Sequence, residues 1–283
     1  MKFVHFIFFL GSLSFLLGAC NLDKEIDLDL PLYDGQLIVE CYLEPGKPFS
    51  LLLTRSTGYF DPFSTETDQF LNETLADDAQ TVEIEYAGQT YTLEQGLYFD
   101  FETQKISNYQ SPDLVPESYG EDFELRIVDT NGKIITSKTQ ILPKIPIDSV
   151  VVNWVENDTS AFALIYVGDD PGQENYYRLM LHKSSLDSTA LQSFVLSDRI
   201  VEDGRLVLGS APDFVEGDTL ITTVFHIDRS YYEFLESVQN AVIAGTSPFG
   251  TPGKLITNLE GDANAVGIFT GLSYDRVFTS IKR

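Results

Sequence analysis

The sequence predicts a mostly β protein with two antiparallel β-sandwich domains of the immunoglobulin or fibronectin-like type, the second carrying one amphipathic helix. Short runs of alternating polar and apolar residues, separated by turn signals, recur through the first half of the chain. A proline-containing segment at 142–146 interrupts this pattern, and new apolar runs begin after it. One stripe of apolar residues at helical spacing begins near residue 231.

The predicted N-terminal sandwich covers residues 36–143. Its strand-like runs are 36–43, 49–55, 81–86, 89–93, 97–101, 123–128 and 133–141. Ala87 and Gly88 are the two residues between the third and fourth runs, which predicts a tight hairpin. Asn131 and Gly132 predict a type I′ turn, because both central positions of that turn need a positive φ.

The predicted C-terminal β domain covers residues 147–283. Its strand-like runs are 149–155, 161–167, 176–182, 219–227, 266–272 and 276–281. A helix is predicted at about 230–244. Ser230 and Glu233 have the spacing of a capping box, and Gly245 is a natural stop. Its apolar stripe of Tyr231, Phe234, Leu235, Val238 and Val242 is typical of packing against a sheet.

The N-terminus has the layout of a secretory signal peptide, predicted to cover residues 1–19. A basic residue is followed by the apolar run 3–17, and the small residues Gly18 and Ala19 precede Cys20. The run is shorter than the about 20 apolar residues of a membrane span. A cysteine here resembles a bacterial lipobox, which implies cleavage before Cys20 and lipid (palmitate) on that residue. An ordinary cleaved signal and an N-terminal membrane helix are the alternatives.

Charge limits the partners of this chain. Its 283 residues include 18 Lys and Arg against 43 Asp and Glu, for a net charge of -25. Nucleic-acid phosphates would repel such a chain, so no nucleic-acid partner is predicted. Residues 20–35 are interpreted as an acidic tether between the lipid and the folded body. With Cys20 lipidated, Cys41 has no intramolecular partner, and its strand-like surroundings predict a buried, inert thiol.

Aromatic residues near two predicted loops are candidates for binding. Residues 56–78 and 102–120 lack a clear period, and long loops often carry function. The candidate ligand or partner contacts are Tyr59, Phe60, Phe63 and Tyr98, of which the last precedes Phe99 and Phe101. Exposed aromatic side chains bind sugars or proteins. The alternative is that these residues cap the end of the sandwich.

The sequence contains no recognisable catalytic or metal-binding pattern. His182 and His226 lie in strand-like runs, and no Gly-x-Ser-x-Gly elbow is present. Among 43 acids no catalytic pair can be singled out. Asp169 and Asp170 are interpreted as part of a solvated turn rather than a calcium site. No cofactor and no metal are predicted.

Segments spread along the chain carry a resemblance to a known family. They are the lipobox followed by KEIDLDLP at 24–31, QLIVE at 36–40, LTRS at 53–56, YFD at 59–61, PIDS at 146–149, DPGQENYYR at 170–178, DRSYYEFL at 228–235 and SPF at 247–249. Together they resemble the Bacteroidota lipoproteins of domain of unknown function 4249 (DUF4249). The resemblance implies a lipid-anchored outer-membrane protein, on the cell surface or the periplasmic face, often linked to TonB-dependent receptors. It implies no catalytic residues.

Three functional hypotheses follow. The first is a non-enzymatic binding or accessory protein associated with TonB-dependent nutrient uptake, held to the outer membrane through lipid on Cys20. The second is a cell-envelope hydrolase that acts on glycan or peptide, which predicts a deep pocket with two carboxyl groups of raised pKa. The third is a structural or adhesive surface protein.

Overall fold

The computed structural model describes residues 35–58, 66–101, 103–156, 158–170, 172–200, 204–246, 253–261 and 264–283. The predicted signal peptide, Cys20 and nearly all of the predicted tether lie outside these residues. In the first half of the chain, the described elements are β1 (Leu37–Leu43), β2 (Pro48–Arg55), α1 (Thr67–Thr74), β3 (Thr81–Tyr86), β4 (Gln89–Thr92), β5 (Glu94–Asp100), β6 (Lys105–Leu114), β7 (Asp122–Val128) and β8 (Ile134–Gln140).

The second half begins after the proline-containing segment. Its described elements are β9 (Ile147–Trp154), β10 (Ser160–Gly168), β11 (Tyr176–Lys183), β12 (Gln192–Ser197), β13 (Arg205–Gly209), β14 (Phe214–Val215), β15 (Thr219–Ile227), α2 (Arg229–Gly245), β16 (Glu260–Gly261), β17 (Ala265–Gly271) and β18 (Ser273–Ser280). Neither described helix combines the length and the apolar character that a membrane crossing requires.

Four sheets pair into two sandwiches, which confirms the predicted fold class. Sheet A has the strand order β17-β1-β2-β6-β5, and sheet B has the order β16-β8-β7-β3-β4. Their inward side chains share one hydrophobic core. Sheet C joins β9, β13 and β14 to β10, while sheet D has the order β12-β11-β15-β18. These two sheets enclose a second core.

The alternation of side chains explains why the strands form a sandwich. In β1, Leu37, Val39, Cys41 and Leu43 are buried, while the residues between them are only partly buried. Successive side chains of a strand point to opposite faces, so this strand places four apolar residues in the core. The thiol of Cys41 donates to the backbone oxygen of Ser50 at 3.4 Å, and burial raises its pKa. The predicted burial of this thiol is therefore confirmed.

Strand β17 returns from the second half of the chain to complete the first sandwich. It pairs in parallel with β1, from Leu37 opposite Ala265 to Leu43 opposite Gly271. Strand β16, also from the second half, pairs antiparallel with β8 in sheet B. The predicted division at 142–146 thus does not assign every strand to the sandwich that contains it. Residues 35–283 form one compact unit.

Polar contacts hold the segment between the sandwiches. Lys144 forms an ion pair with Asp275 at 3.0 Å, and the same carboxylate accepts from the amide of Ile147 at 2.9 Å. The backbone oxygen of Pro143 lies 2.8 Å from Nδ1 of His226, whose other ring nitrogen is 3.2 Å from Oδ1 of Asn175. These bonds anchor the connecting segment on sheet D.

Two local predictions were wrong. Residues 102–120 were expected to be a loop, but β6 lies within them and buries Asn108 and Tyr109. Asn131 and Gly132 were expected to be the centre of a type I′ turn, but of the two only Gly132 has a positive φ. Oδ1 of Asp129 instead accepts from the amides of Asn131 and Lys133, which produces a longer connection.

The N-terminus of α2 is capped differently from the sequence-based expectation. Asp228, rather than Ser230, is the N-cap residue, and its Oδ1 accepts from the amide of Tyr231 at 2.7 Å. Glu233 pairs with Arg229 instead of completing a capping box. The second carboxylate oxygen of Asp228 accepts from the Thr139 hydroxyl at 2.9 Å. One side chain therefore joins the helix to sheet B.

Helix α2 packs at the junction of the two sandwiches. Tyr231 belongs to a small cluster with Tyr176 and Ile227 from sheet D and Ile268 from sheet A. Of the predicted apolar stripe, Tyr231 is buried, Phe234, Leu235 and Val238 are partly buried, and Val242 is 64% exposed. The burial of the stripe therefore decreases towards the end of the helix.

Replacing Asp228 with alanine should lower the free energy of unfolding by about 1–2 kcal/mol, the upper part of the range for an N-cap. The change removes the acceptor for the Tyr231 amide and for Thr139. The matched control is Ser230→Ala, which removes the cap expected from the sequence and should change stability by less than about 0.5 kcal/mol. Urea unfolding compares the two. Equal losses would contradict the assignment of Asp228 as the cap.

Candidate binding surface

A groove with a volume of about 650 Å³ opens on the outer face of sheet A. Its floor consists of outward-facing side chains from β1, β2 and β6, and the hairpin between β5 and β6 forms one wall. The lining includes Glu40, Tyr42, Glu44, Phe99, Lys105 and Ile106. The groove is thus built from side chains that alternate with those of the first core.

Four apolar side chains on the β5–β6 hairpin remain exposed. The exposed fractions are 62% for Leu97, 44% for Phe99, 80% for Phe101 and 36% for Ile106. Phe99 and Ile106 are cross-strand partners, and both line the groove. The rings of Phe99 and Phe101 meet edge to face, with centroids 4.8 Å apart and 79° between the planes. We refer to these four residues as the hairpin ridge; such concentrations of exposed apolar surface mark interaction sites.

Tyr42 and Lys105 interact inside the groove. The ammonium nitrogen of Lys105 lies 4.5 Å from the centroid of the Tyr42 ring, a cation–π arrangement. Lys105 is exposed as a residue, but its ammonium is partly desolvated against the ring, and burial lowers its pKa. Burial also raises the pKa of the Tyr42 hydroxyl, so this group stays protonated and donates to Glu40 at 3.3 Å.

The same end of the groove adjoins the second sandwich. The rings of Tyr42 and Tyr231 meet edge to face with centroids 5.9 Å apart, and Arg178 donates to the Tyr231 hydroxyl at 2.8 Å. The Tyr274 hydroxyl donates to Glu44 at 2.9 Å. Residues of sheets A and D and of helix α2 therefore fix the positions of Tyr42 and Glu44 together.

The predicted contact residues are only partly placed. Tyr59, Phe60, Phe63 and the lipidation residue Cys20 lie outside the described residues. Tyr98 is partly exposed in β5, but its ring lies against Gly96 of the same strand, and its hydroxyl is 3.5 Å from the backbone oxygen of Glu94. It does not line the groove.

Sequence reasoning missed the contribution of two aliphatic residues to this surface. Leu97, Phe99 and Phe101 alternate along β5 and the following turn, which was a detectable signal for one exposed face. Ile106 could not be found, because 102–120 was interpreted as a loop and its pairing with Phe99 was not foreseen.

A second groove, of about 630 Å³, lies between the outer face of sheet B and the first turns of α2. Its lining includes the carboxylates Glu83, Glu85, Glu124, Glu233 and Glu260. Several are paired with cations on the same surface: Arg126 lies 3.6 Å from Glu83, and Lys138 lies 2.5 Å from Glu124. Such exposed pairs contribute little to stability.

Among the described residues, the carboxyl groups with clear shifts have a lowered rather than a raised pKa. Burial alone would raise the pKa of Asp218 and Asp275, but hydrogen bonds and ion pairs, including those with Lys183 and Lys144, lower both. Backbone amides lower the pKa of Asp158. A general acid needs the opposite shift, so these three groups do not match the carboxyls that the hydrolase hypothesis predicts.

Asp169 has a structural environment. It accepts hydrogen bonds from the Tyr177 hydroxyl and from the Asn175 amide, so it holds the connection from β10 to β11. Within the described ranges, no group of three or more His, Cys, Asp or Glu residues is arranged to hold a metal ion.

A known protein family matches most of the chain. Residues 23–277 match the model of a family described as "Domain of unknown function (DUF4249)". Among curated proteins, none matches the chain. The matched region includes every described strand except the last residues of β18.

Proposed function

The chain belongs to the DUF4249 family, and we propose that it is a lipid-anchored, non-enzymatic binding protein that docks onto a TonB-dependent transporter of the outer membrane. The observation that carries this proposal is the hairpin ridge beside the groove. The lipobox pattern at Cys20 supports the anchor.

The chemistry of the ridge favours a protein partner over a sugar. Sugar sites present flat aromatic faces together with hydrogen-bonding groups. In the ridge, the edge-to-face contact of Phe99 and Phe101 turns one ring against the other. Leu97 and Ile106 add aliphatic surface without polar atoms. Exposed apolar anchors that enter a partner's pocket are the usual energetic centre of a protein interface.

Charge specifies the rim of the partner's surface. Three acids, Glu40, Glu44 and Asp100, line the groove against the two bases Lys47 and Lys105, and the whole chain carries a net charge of -25. A partner whose apolar pocket is bordered by Lys or Arg would be attracted and oriented by this field. The interaction should therefore weaken as the salt concentration rises, because salt screens contacts at an interface rim.

The double variant Phe99→Ser/Phe101→Ser tests the ridge. Two lost hot-spot side chains should weaken binding more than about tenfold. The measurement is the amount of transporter that copurifies with the tagged full chain from mildly solubilised outer membranes. Phe278→Ser is the matched control, since Phe278 is 62% exposed on β18. A double variant that retains the wild-type amount of transporter would contradict the proposal.

The anchor has a separate test. Cys20→Ser removes the thiol that would carry lipid, so most of the protein should leave the membrane fraction. Acyl chains anchor because each buried methylene contributes about 0.8 kcal/mol. Fractionation and intact-mass measurement of the mature chain report the result. Retention of Cys20→Ser in the membrane, with a mass that differs from the wild type only by the exchange of sulfur for oxygen, would rule out lipid at this residue.

A further inference from the structure

The centre of the outer face of sheet C is apolar, although Ser149 and Asn153 of β9 lie at its margin beside Tyr166 and Phe162. Strand β10 places Phe162, Leu164 and Tyr166 on this face, and all three are partly exposed. Val151 of β9 lies opposite Leu164, and Val207 of β13 lies opposite Tyr166. These two valines are 43% and 47% exposed. The five residues form one continuous surface, which we name the sheet C face.

The sequence of these strands indicates burial on both sides. The inward residues of β10, from Ala161 to Val167, are fully buried in the second core. Because Phe162, Leu164 and Tyr166 alternate with them, the strand is a continuous apolar run. Such runs are typical of strands covered on both faces. The described residues cover only the inward face of β10.

Two opposite charges border the sheet C face at one end. The Asp148 carboxylate lies 3.8 Å from the position of a Cβ on Gly168, at the end of β10. Arg205 pairs with the same Gly168 from the other side, and its alternation with the buried Leu206 places it on the outer face. Both residues are exposed, and no ion pair within 4 Å joins either to another described residue.

We propose that the sheet C face binds a second copy of this chain, with a two-fold axis that runs along β10. Rotation about such an axis places the β9 edge of one copy against the β13 edge of the other and keeps the position along the strand. Asp148 of each copy then meets Arg205 of the other. The central residues Phe162, Leu164 and Tyr166 meet their own counterparts, as an isologous interface requires.

The charges beside the sheet C face favour binding of a second copy there, although the net charge of the whole chain opposes association. The net charge of -25 repels a second copy at long range. At physiological salt this repulsion is screened beyond about 8 Å. The sheet C face itself carries no carboxylate on β10, and at the Gly168 end Asp148 is matched by Arg205. Shared attachment to a membrane would further raise the local concentration of copies.

Thiol cross-linking of Leu164→Cys in the full chain tests the proposal. Facing sheets lie about 10 Å apart, which is too far for a disulfide, so a short bis-maleimide reagent is required. Treated membranes should give a covalent dimer of the Leu164→Cys chain. The wild-type chain controls for Cys20 and Cys41, and Phe278→Cys controls for exposure on the other sheet. Neither should give a dimer.

Charge exchange then tests the symmetry. Asp148→Arg places two arginines at each of the two symmetry-related contacts and should reduce the cross-linked dimer about tenfold. The double variant Asp148→Arg/Arg205→Asp should restore it. A Leu164→Cys chain that reacts with maleimide but forms no dimer would overturn the proposal, as would an adduct with a different protein. A dimer unaffected by Asp148→Arg would overturn the two-fold arrangement.

Discussion

Gly267→Ala is expected to reduce the free energy of unfolding by more than about 4 kcal/mol, or to prevent folding. Gly267 lies in β17 with a φ of +130°, a backbone conformation that residues with a side chain rarely adopt. A Cβ built there would lie 1.9 Å from the backbone oxygen of Val39. Val39 is fully buried in β1, so neither strand can move away without disrupting the first core. The parallel pairing of β1 with β17 would be lost.

The control for this prediction is Gly245→Ala. Gly245 ends α2, and a Cβ there would have no atom within 4 Å. Alanine has the higher helix propensity, so this variant should be neutral or more stable by up to about 1 kcal/mol. Thermal and urea unfolding of the two variants give the comparison. A Gly267→Ala protein within 1 kcal/mol of the wild type would show that β17 does not complete the first sandwich as described.

Asn108→Ala should cost about 2–4 kcal/mol. Asn108 is 1% exposed, and its Oδ1 accepts from the amide of Leu53 at 2.7 Å. Its Nδ2 donates to the backbone oxygen of Leu53 and to Asp77, both at 2.9 Å. The Leu53 oxygen keeps a second donor, the Ala76 amide, so the main loss is the buried N–H of Leu53 together with a small cavity.

Asn153→Ala is the matched control, because Asn153 also lies in a strand but is partly exposed. Its amide has a single long contact of 3.4 Å with the backbone oxygen of Val151. This variant should differ from the wild type by less than about 0.5 kcal/mol. Chemical unfolding monitored by tryptophan fluorescence measures both. If Asn108→Ala were as stable as Asn153→Ala, the Asn108 side chain would not provide the hydrogen bonds that a neighbouring strand would otherwise make to Leu53.

Alternation identified the strands whose inward residues are apolar, but it failed where polar side chains are buried. The predicted runs at 81–86 and 219–227 coincide with β3 and β15. Strand β6 was missed because Asn108 and Ser111 occupy buried positions and satisfy hydrogen bonds there. The sequence around β6 therefore has no apolar period, even though the strand lies inside sheet A.

Long-range pairing was also inaccessible to local patterns. A strand was predicted at 266–272, close to β17, but no local feature shows that it pairs with β1 rather than with its neighbours. The helix cap illustrates a smaller failure. Ser230 and Glu233 satisfy the spacing of a capping box, yet Asp228 also contacts Thr139, and this tertiary contact favours an earlier start.

The sequence predicted that exposed aromatic residues would form a binding surface, but not which residues form it. Aromatic residues near 98–101 were expected to be exposed, and Phe99 and Phe101 are, whereas Tyr98 lies against its own strand. Tyr98 differs from Phe99 and Phe101 because adjacent residues of a strand point to opposite faces of the sheet. The groove could not be foreseen, since Tyr42 and Lys105 meet only through the pairing of distant strands.

The most direct test of the proposed docking is photo-cross-linking from Phe101 in the full chain within native outer membranes. A photoreactive amino acid replaces Phe101, which is 80% exposed at the tip of the ridge, and the same group at Phe278 serves as the control. We expect an adduct between position 101 and a TonB-dependent transporter, identified by mass spectrometry, and no such adduct from position 278. A chain that cross-links to no protein from position 101, or equally well from both positions, would contradict docking through the ridge.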